Sequence, residues 1–169
     1  MSPAGPDAGH GNDLGVLLVS ASARLNRLYG RVLGQLDTSL TFRQHRMLRR
    51  VAEGHTSMAA LAAFGNLTLP TVSGSVEGLV RRGLLERQDN PQNRRQIVLS
   101  LTPSGREAKE AGDAALEAVN DRLLQAVPDE HQQVLHESLV AIYDAATDVF
   151  QRSDPAIVSA AGTARVTEN

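Results

Sequence analysis

Residues 83–106, GLLERQDNPQNRRQIVLSLTPSGR, carry the reading that decides the fold. Two short runs, LLERQ and QIVLSLT, flank the polar turn DNPQNRR and read as an antiparallel hairpin. Thr102 and Pro103 then open a helix, because threonine is a good N-cap and proline is pre-set for the first helical position. Arg94 and Arg95 fall at the hairpin tip. A charged tip is poorly suited to burial, but it can reach a phosphate backbone or a narrow A·T-rich minor groove.

Immediately upstream lies TLPTVSGSVEGLVRRG, residues 68–83. Thr68 can cap, Pro70 falls in the first turn, and Gly83 ends the helix. Leu69, Val72, Val76, Leu79 and Val80 cluster on one face at about 100° per residue, which leaves Pro70, Thr71, Gly74, Glu77, Gly78 and Arg81 outward. This small, polar outer face suits a major groove about 12 Å wide. A shorter helix, SMAALAAFG, capped by Thr56 or Ser57 and ending at Gly65, precedes it through FGNLT, completing a helix-turn-helix pattern. Still earlier, Thr41 and Gln44 form a capping box for TFRQHRMLRRVAE, which Gly54 closes. Met47, Leu48 and Val51 make its apolar side.

The ends read as long helices. Leu14, Leu17, Leu18, Ala21, Leu25, Leu28, Val32 and Leu36 recur at helical spacing. After the hairpin, residues 102–127 form a helix that Pro128 ends, with Ala108, Ala111, Ala115, Val119 and Leu123 as its small-residue face. Val134, Leu135, Leu139, Ile142 and Val149 mark a last helix. These three helices carry more apolar surface than a small domain covers, so a second subunit is the economical partner.

Composition agrees with one mostly helical (α+β) domain: 169 residues, 41% hydrophobic, three Phe, two Tyr and no Trp. The expected organisation is a disordered tail at 1–12, a domain at 13–151 and a flexible tail at 152–169. Within the domain, 41–101 is the DNA-binding lobe, and 13–40 with 102–151 are dimerisation helices. Zero cysteines exclude disulfides, Cys-ligated zinc and thiol switches. No run approaches the roughly 18 apolar residues of a membrane span, so the expectation is a cytoplasmic protein that meets no membrane. The net charge of −2 hides an asymmetry: residues 41–101 hold nine arginines, no lysine and four acids, whereas residues 102–169 hold five bases and twelve acids. Arginine suits forked contacts with phosphate.

Enzyme signatures are lacking. His131 and His136 are five apart, unlike the pair in H-E-x-x-H, and GSVEG lacks the serine of G-x-S-x-G. No catalytic residue, metal site or cofactor is expected.

From about Leu14 to Phe150, the sequence resembles the multiple-antibiotic-resistance regulator (MarR) family of winged helix-turn-helix transcription factors. The most specific part is GLLERQDNPQNRRQIVLSLTPSGR, which resembles the family's recognition-helix exit, wing and "LTxxG" helix start. The resemblance implies a homodimeric, ligand-responsive repressor on a pseudo-palindromic operator in double-stranded DNA. The DNA-contacting candidates are Arg43, Thr68, Pro70, Thr71, Ser73, Gly74, Ser75, Arg81, Arg94 and Arg95. It also implies an aromatic or lipophilic acid as effector, for which Arg24, Arg27, Tyr29, His45 and Arg49 are candidate partners. Two departures stand out: Asn93 replaces the usual wing aspartate, and Gly74 replaces a longer polar or basic side chain. Base readout would then rest on Thr71, Ser73 and Ser75, which cannot make the forked arginine–guanine contact. The alternative reading is a winged-helix module that binds protein instead of specific DNA.

Overall fold

The computed structural model describes residues 14–65, 67–90 and 93–152. The expected N-terminal tail lies outside these residues, and so does the C-terminal tail from residue 153. The elements are α1 (Leu14–Gly34), α2 (Phe42–Ala52), α3 (Met58–Gly65), α4 (Leu69–Arg81), β1 (Leu85–Asn90), β2 (Asn93–Leu101), α5 (Pro103–Leu124) and α6 (Asp129–Arg152). They divide into two compact units, one up to Val119 and one from Asn120, so the boundary falls within α5.

Local chemistry sets the helix ends of the first unit. At α2 the capping box forms in both directions: Thr41 N–H donates to Gln44 Oε1 at 2.9 Å, and Gln44 N–H donates to Thr41 Oγ1 at 3.2 Å. Gly54, with φ of 95°, takes the left-handed conformation just past the helix end. Of the two candidate caps for α3 the chain uses Ser57, whose Oγ accepts from Ala60 N–H at 3.1 Å. Gly83, with φ of 67°, turns the chain from α4 into β1.

The core of this unit joins Leu33 of α1, Met47, Leu48 and Val51 of α2, Leu61 of α3, Val72, Val76 and Leu79 of α4, Leu85 and Leu99 of the hairpin, and Ala108 and Leu116 of α5. At about 25 cal/mol per Å² of apolar area, such burial is the main term holding the lobe together. The strands pair antiparallel, Leu85 opposite Leu101 and Arg87 opposite Leu99, with a register shift between Asp89 and Asn90. They run further than expected, so β2 already includes Asn93, Arg94 and Arg95, and only Pro91 and Gln92 lie between the strands. Leu99 N–H also donates to Thr56 O at 2.8 Å, fastening the segment before α3 to the hairpin.

Three expectations need correction. Leu69 is 56% exposed, because the first turn of α4 lies beyond the end of the core that Val72, Val76 and Leu79 fill. The buried side of α5 is Gly105, Ala108, Gly112 and Leu116, whereas Ala111 and Leu123 are exposed. On that side Gly105 meets the Leu84 main chain and Gly112 meets the His45 and Leu33 side chains, with no room for a Cβ at either. Finally, α5 stops at Leu124, and Pro128 instead precedes α6, its carbonyl accepting from His131 N–H at 2.8 Å.

Within the second unit, Gln132 Nε2 donates to Val127 O at 3.2 Å and Asp129 Oδ1 at 3.1 Å, fixing the turn into α6. Val134, Leu139, Val140, Ile142 and Tyr143 are exposed along that helix. Leu14, Val16, Leu17, Leu18 and Val19 are likewise exposed on α1, which buries only Leu33 fully. Among the described residues no helix is long and apolar enough to cross a membrane.

Candidate nucleic-acid interface

Helix α4 presents the helix-turn-helix surface. Thr68 takes an extended conformation (φ −74°, ψ 149°) and caps the helix; its Oγ1 accepts from Thr71 N–H at 3.4 Å and lies 2.9 Å from Thr71 Oγ1. Val72, Val76 and Leu79 bury one side. Pro70, Gly74, Glu77 and Arg81 are exposed and follow one another by fours and threes along the opposite side. Thr71 and Ser73 flank this stripe, half-buried. Ser73 Oγ donates to Glu77 Oε1 at 3.2 Å, so hydroxyl and carboxylate form one polar group on the outer face. Ser75 is placed differently: it lies about 140° round the helix from Pro70, and its hydroxyl donates to Thr71 O at 3.0 Å. Pro70, Thr71, Ser73, Gly74, Glu77 and Arg81 thus share the outer side, with Ser75, half-buried like Thr71 and Ser73, at its margin.

The two arginines ending α4 have different surroundings. Arg81 is exposed in the last turn. Arg82 folds back, donating from Nη2 to Ser39 O at 2.6 Å and from Nη1 to Gln44 Oε1 at 3.3 Å. The capping glutamine of α2 thus serves Thr41 and Arg82 together. Arg94 and Arg95 have their backbones in β2, beside the hairpin connection; their side chains lie outside the described residues.

Arg43 is exposed on α2 and lines a cavity of about 390 Å³. Phe42, Met47, Leu61 and Leu67 give this cavity apolar walls, and Arg46 and Arg50 add two more guanidinium groups. Arg46 lies over the Phe42 ring at 5.9 Å, and the Tyr29 ring of α1 packs tilted against the same ring with centroids 5.1 Å apart. Burial pushes the Tyr29 phenol above its ordinary pKa.

The other effector candidates do not gather there. Arg24 and Arg27 are exposed on α1. His45 and Arg49 line a separate recess of about 170 Å³ with Phe42, Arg46, Arg50, Glu53 and Leu116. His45 is 1% exposed, and its Nε2 lies 2.9 Å from Asp113 Oδ1. Arg49 Nε is 3.7 Å from the same oxygen, and Lys109 Nζ is 2.8 Å from Oδ2. Burial works to raise the Asp113 carboxyl, but Lys109 above all, with His45 and Arg49, holds it below its ordinary pKa. Asp113, Lys109 and Arg82 were not picked out from the sequence; the one available signal was Gly112 inside a helix, which points to a close packing contact. Among the described residues no three His, Asp or Glu groups converge on a metal-sized site.

Comparison with known proteins places this geometry. Residues 38–96 match the profile described as MarR family. The uncharacterized HTH-type transcriptional regulator YdcH of Bacillus subtilis (strain 168) is 32% identical over 117 residues, spanning 66% of this chain and 78% of that protein. The crystal structure of a probable transcriptional regulator from Pseudomonas aeruginosa has a TM-score of 0.66 and 30% identity, covering 78% of this chain and 97% of its own. Streptococcus pneumoniae FabT, in complex with DNA, superposes with a TM-score of 0.72 at 20% identity, over 80% of this chain and 96% of its own.

Proposed function

Because the chain belongs to the MarR family of DNA-binding transcriptional regulators, we propose that it is a homodimeric, non-enzymatic repressor that binds a pseudo-palindromic operator and is released by a small anionic effector. The observation that carries this reading is the capped helix α4, whose small outer face is exposed beside an arginine-rich lobe. Pro70, Thr71, Ser73, Gly74 and Arg81 meet the major groove, while Arg94 and Arg95 reach the flanking backbone or minor groove. Thr68 acts by fixing the helix N-terminus, where free N–H groups also favour phosphate. With glycine at position 74, base discrimination rests on short side chains and on DNA shape.

The exposed apolar residues of α1 and α6 support dimerisation, since each helix leaves several large apolar side chains in water that a second subunit would cover. A two-fold dimer then reads half-sites about one helical turn apart. The cavity beside Phe42 supports the effector: Phe42, Met47, Leu61 and Leu67 give it apolar walls, and Arg43 and Arg46 offer charge to a carboxylate, whereas Arg50 already pairs with Glu53 at 2.9 Å. Arg24, Tyr29, His45 and Arg49 are then secondary candidates.

An electrophoretic shift with DNA flanking the protein's own coding region tests operator binding, with sedimentation to read the oligomeric state. A saturable shift by a dimer is expected. A monomer, or a dimer that retards no duplex above nonspecific competitor, would favour the protein-interaction module instead.

A further inference from the structure

Helix α2 contributes one polar side chain to the core. His45 sits between Leu33 of α1 and Gly112 of α5, in space that only glycine leaves open. A Cβ at position 112 would stand 2.5 Å from the imidazole Cδ2, 2.9 Å from Nε2 and 3.2 Å from Leu33 Cδ2. Asp113, the next residue of α5, meets Nε2 at 2.9 Å. An ionised carboxylate can only accept, so the neutral ring carries its proton on Nε2 and leaves Nδ1 as a bare acceptor. Among the described residues no hydrogen bond reaches that buried nitrogen.

A second proton would turn Nδ1 into a buried donor without a well-placed acceptor, which is costly in a low-dielectric interior. The charges around the ring offer little compensation. From α5, Lys109 and Asp113 face it, and Lys109 already neutralises Asp113. From α2, Arg49 approaches Asp113 while pairing with Glu53, and Arg46 and Arg50 line the adjoining recess. The α1 neighbour, Leu33, is apolar. Burial therefore dominates and pushes the His45 pKa below its ordinary value, with Arg49 acting in the same direction. Asp113 and the Lys109 carbonyl oppose the shift without reversing it.

We propose that neutral His45, packed against Leu33 and Gly112 and donating to Asp113, is an acid-sensitive latch between α2 of the helix-turn-helix lobe and α5: protonation buries a charge and an unpartnered Nδ1–H in that seam, which loosens it and weakens DNA binding although the bond to Asp113 itself gains charge. The DNA consequence rests on the function proposed above; the latch itself rests on the packing. The sign follows from the folded state's lower proton affinity. The latch is fully present above the unfolded histidine pKa, weakens as pH falls below it, and is lost once pH passes the lowered folded value.

The experiment uses full-length wild type, His45→Phe and His45→Gln. Fluorescence anisotropy follows a duplex from the region flanking the coding sequence, and urea midpoints are taken alongside, from pH 8 to pH 5 at fixed ionic strength. Wild type should lose affinity by roughly fivefold or more towards acid, the lower end of usual site-to-site couplings, and its urea midpoint should fall with it. The variants should lack that loss; His45→Gln keeps an amide donor for Asp113 should the phenylalanine fail to fold. Parallel pH profiles for affinity and midpoint in wild type and His45→Gln would overturn the latch. Should no duplex bind at any pH, the DNA-binding reading fails and the midpoints decide: an acid-induced fall confined to wild type upholds the latch, and parallel falls remove it.

Discussion

Gly105 lies against the main chain of Leu84 so closely that a Cβ there would overlap the Leu84 carbonyl oxygen and stand 2.9 Å from the carbonyl carbon. The neighbouring Thr102 completes the junction: its hydroxyl donates to Gly83 O at 2.6 Å and accepts from Gly105 N–H at 2.9 Å. The TPSG segment thereby fastens the start of α5 to the turn that links α4 to β1.

Gly105→Ala should consequently destabilise the protein although alanine is the better helix former. Intrinsic propensity favours alanine by about 1 kcal/mol, whereas overpacking against backbone costs about 1–3 kcal/mol or more, since a carbonyl cannot rotate away as a side chain does. The expected result is a lower urea midpoint at unchanged m-value. An unchanged or raised midpoint would show that α5 can shift here without loss.

Arg81 and Arg82 should separate cleanly despite their adjacency. Arg82→Ala removes the bonds to Ser39 and Gln44 and should cost about 1 kcal/mol of stability, with little change in the salt dependence of DNA binding. Arg81→Ala should leave stability alone and flatten the salt dependence by about one unit of log–log slope per subunit. For wild type that slope should be about −4 or steeper. Anisotropy titrations across salt, with urea melts of the same samples, read both effects; identical behaviour of the two variants would remove the assigned roles.

These neighbours also mark how far the sequence could be read. The capping box at Thr41 and Gln44, the glycines past α2 and α4, and the alternation through Leu85 and Leu99 are local signals, and each forms where the pattern puts it. Contacts between residues distant along the chain leave no such trace. His45 and Asp113 are 68 positions apart, so a histidine beside arginines reads as a surface or ligand group until α5 is seen to cover it. The close-packed side of α5 escapes the pattern for the same reason: alanine spacing marks one stripe, but Gly105 and Gly112 lie where neighbouring groups come closest. Ser75 illustrates a third limit, because small polar residues at the margin of a helical face carry too little hydrophobicity to reveal their direction.

The chain contains no cysteine, so low peroxide should not release it from DNA. Methionine is the remaining sulfur; Met47 is buried and Met58 packs partly into the core, and their oxidation would disrupt packing instead of switching reversibly. Titrating peroxide against the DNA complex, followed by thiol reductant, checks this. Reversible release at thiol-oxidising doses would contradict it.

The wing tests the chain's departure from its family. Arg95→Ala should cost about 1–3 kcal/mol of DNA affinity per subunit while leaving the dimer intact, because it removes a charge-assisted contact from the end of a two-stranded ribbon. Asn93→Asp sets two effects against each other. A carboxylate at 93 can hold Arg95 in a binding pose, worth about 0.5–1 kcal/mol for a surface pair, but it also brings negative charge towards phosphates at a similar cost in water. The terms nearly cancel, so Asn93→Asp should change affinity by less than about tenfold, with Arg95→Ala clearly weaker. Anisotropy titrations of both variants on one operator decide. Wild-type affinity in Arg95→Ala would mean that the wing does not touch DNA, and a large gain in Asn93→Asp would mean that the native wing arginine lacks a pose that the aspartate supplies.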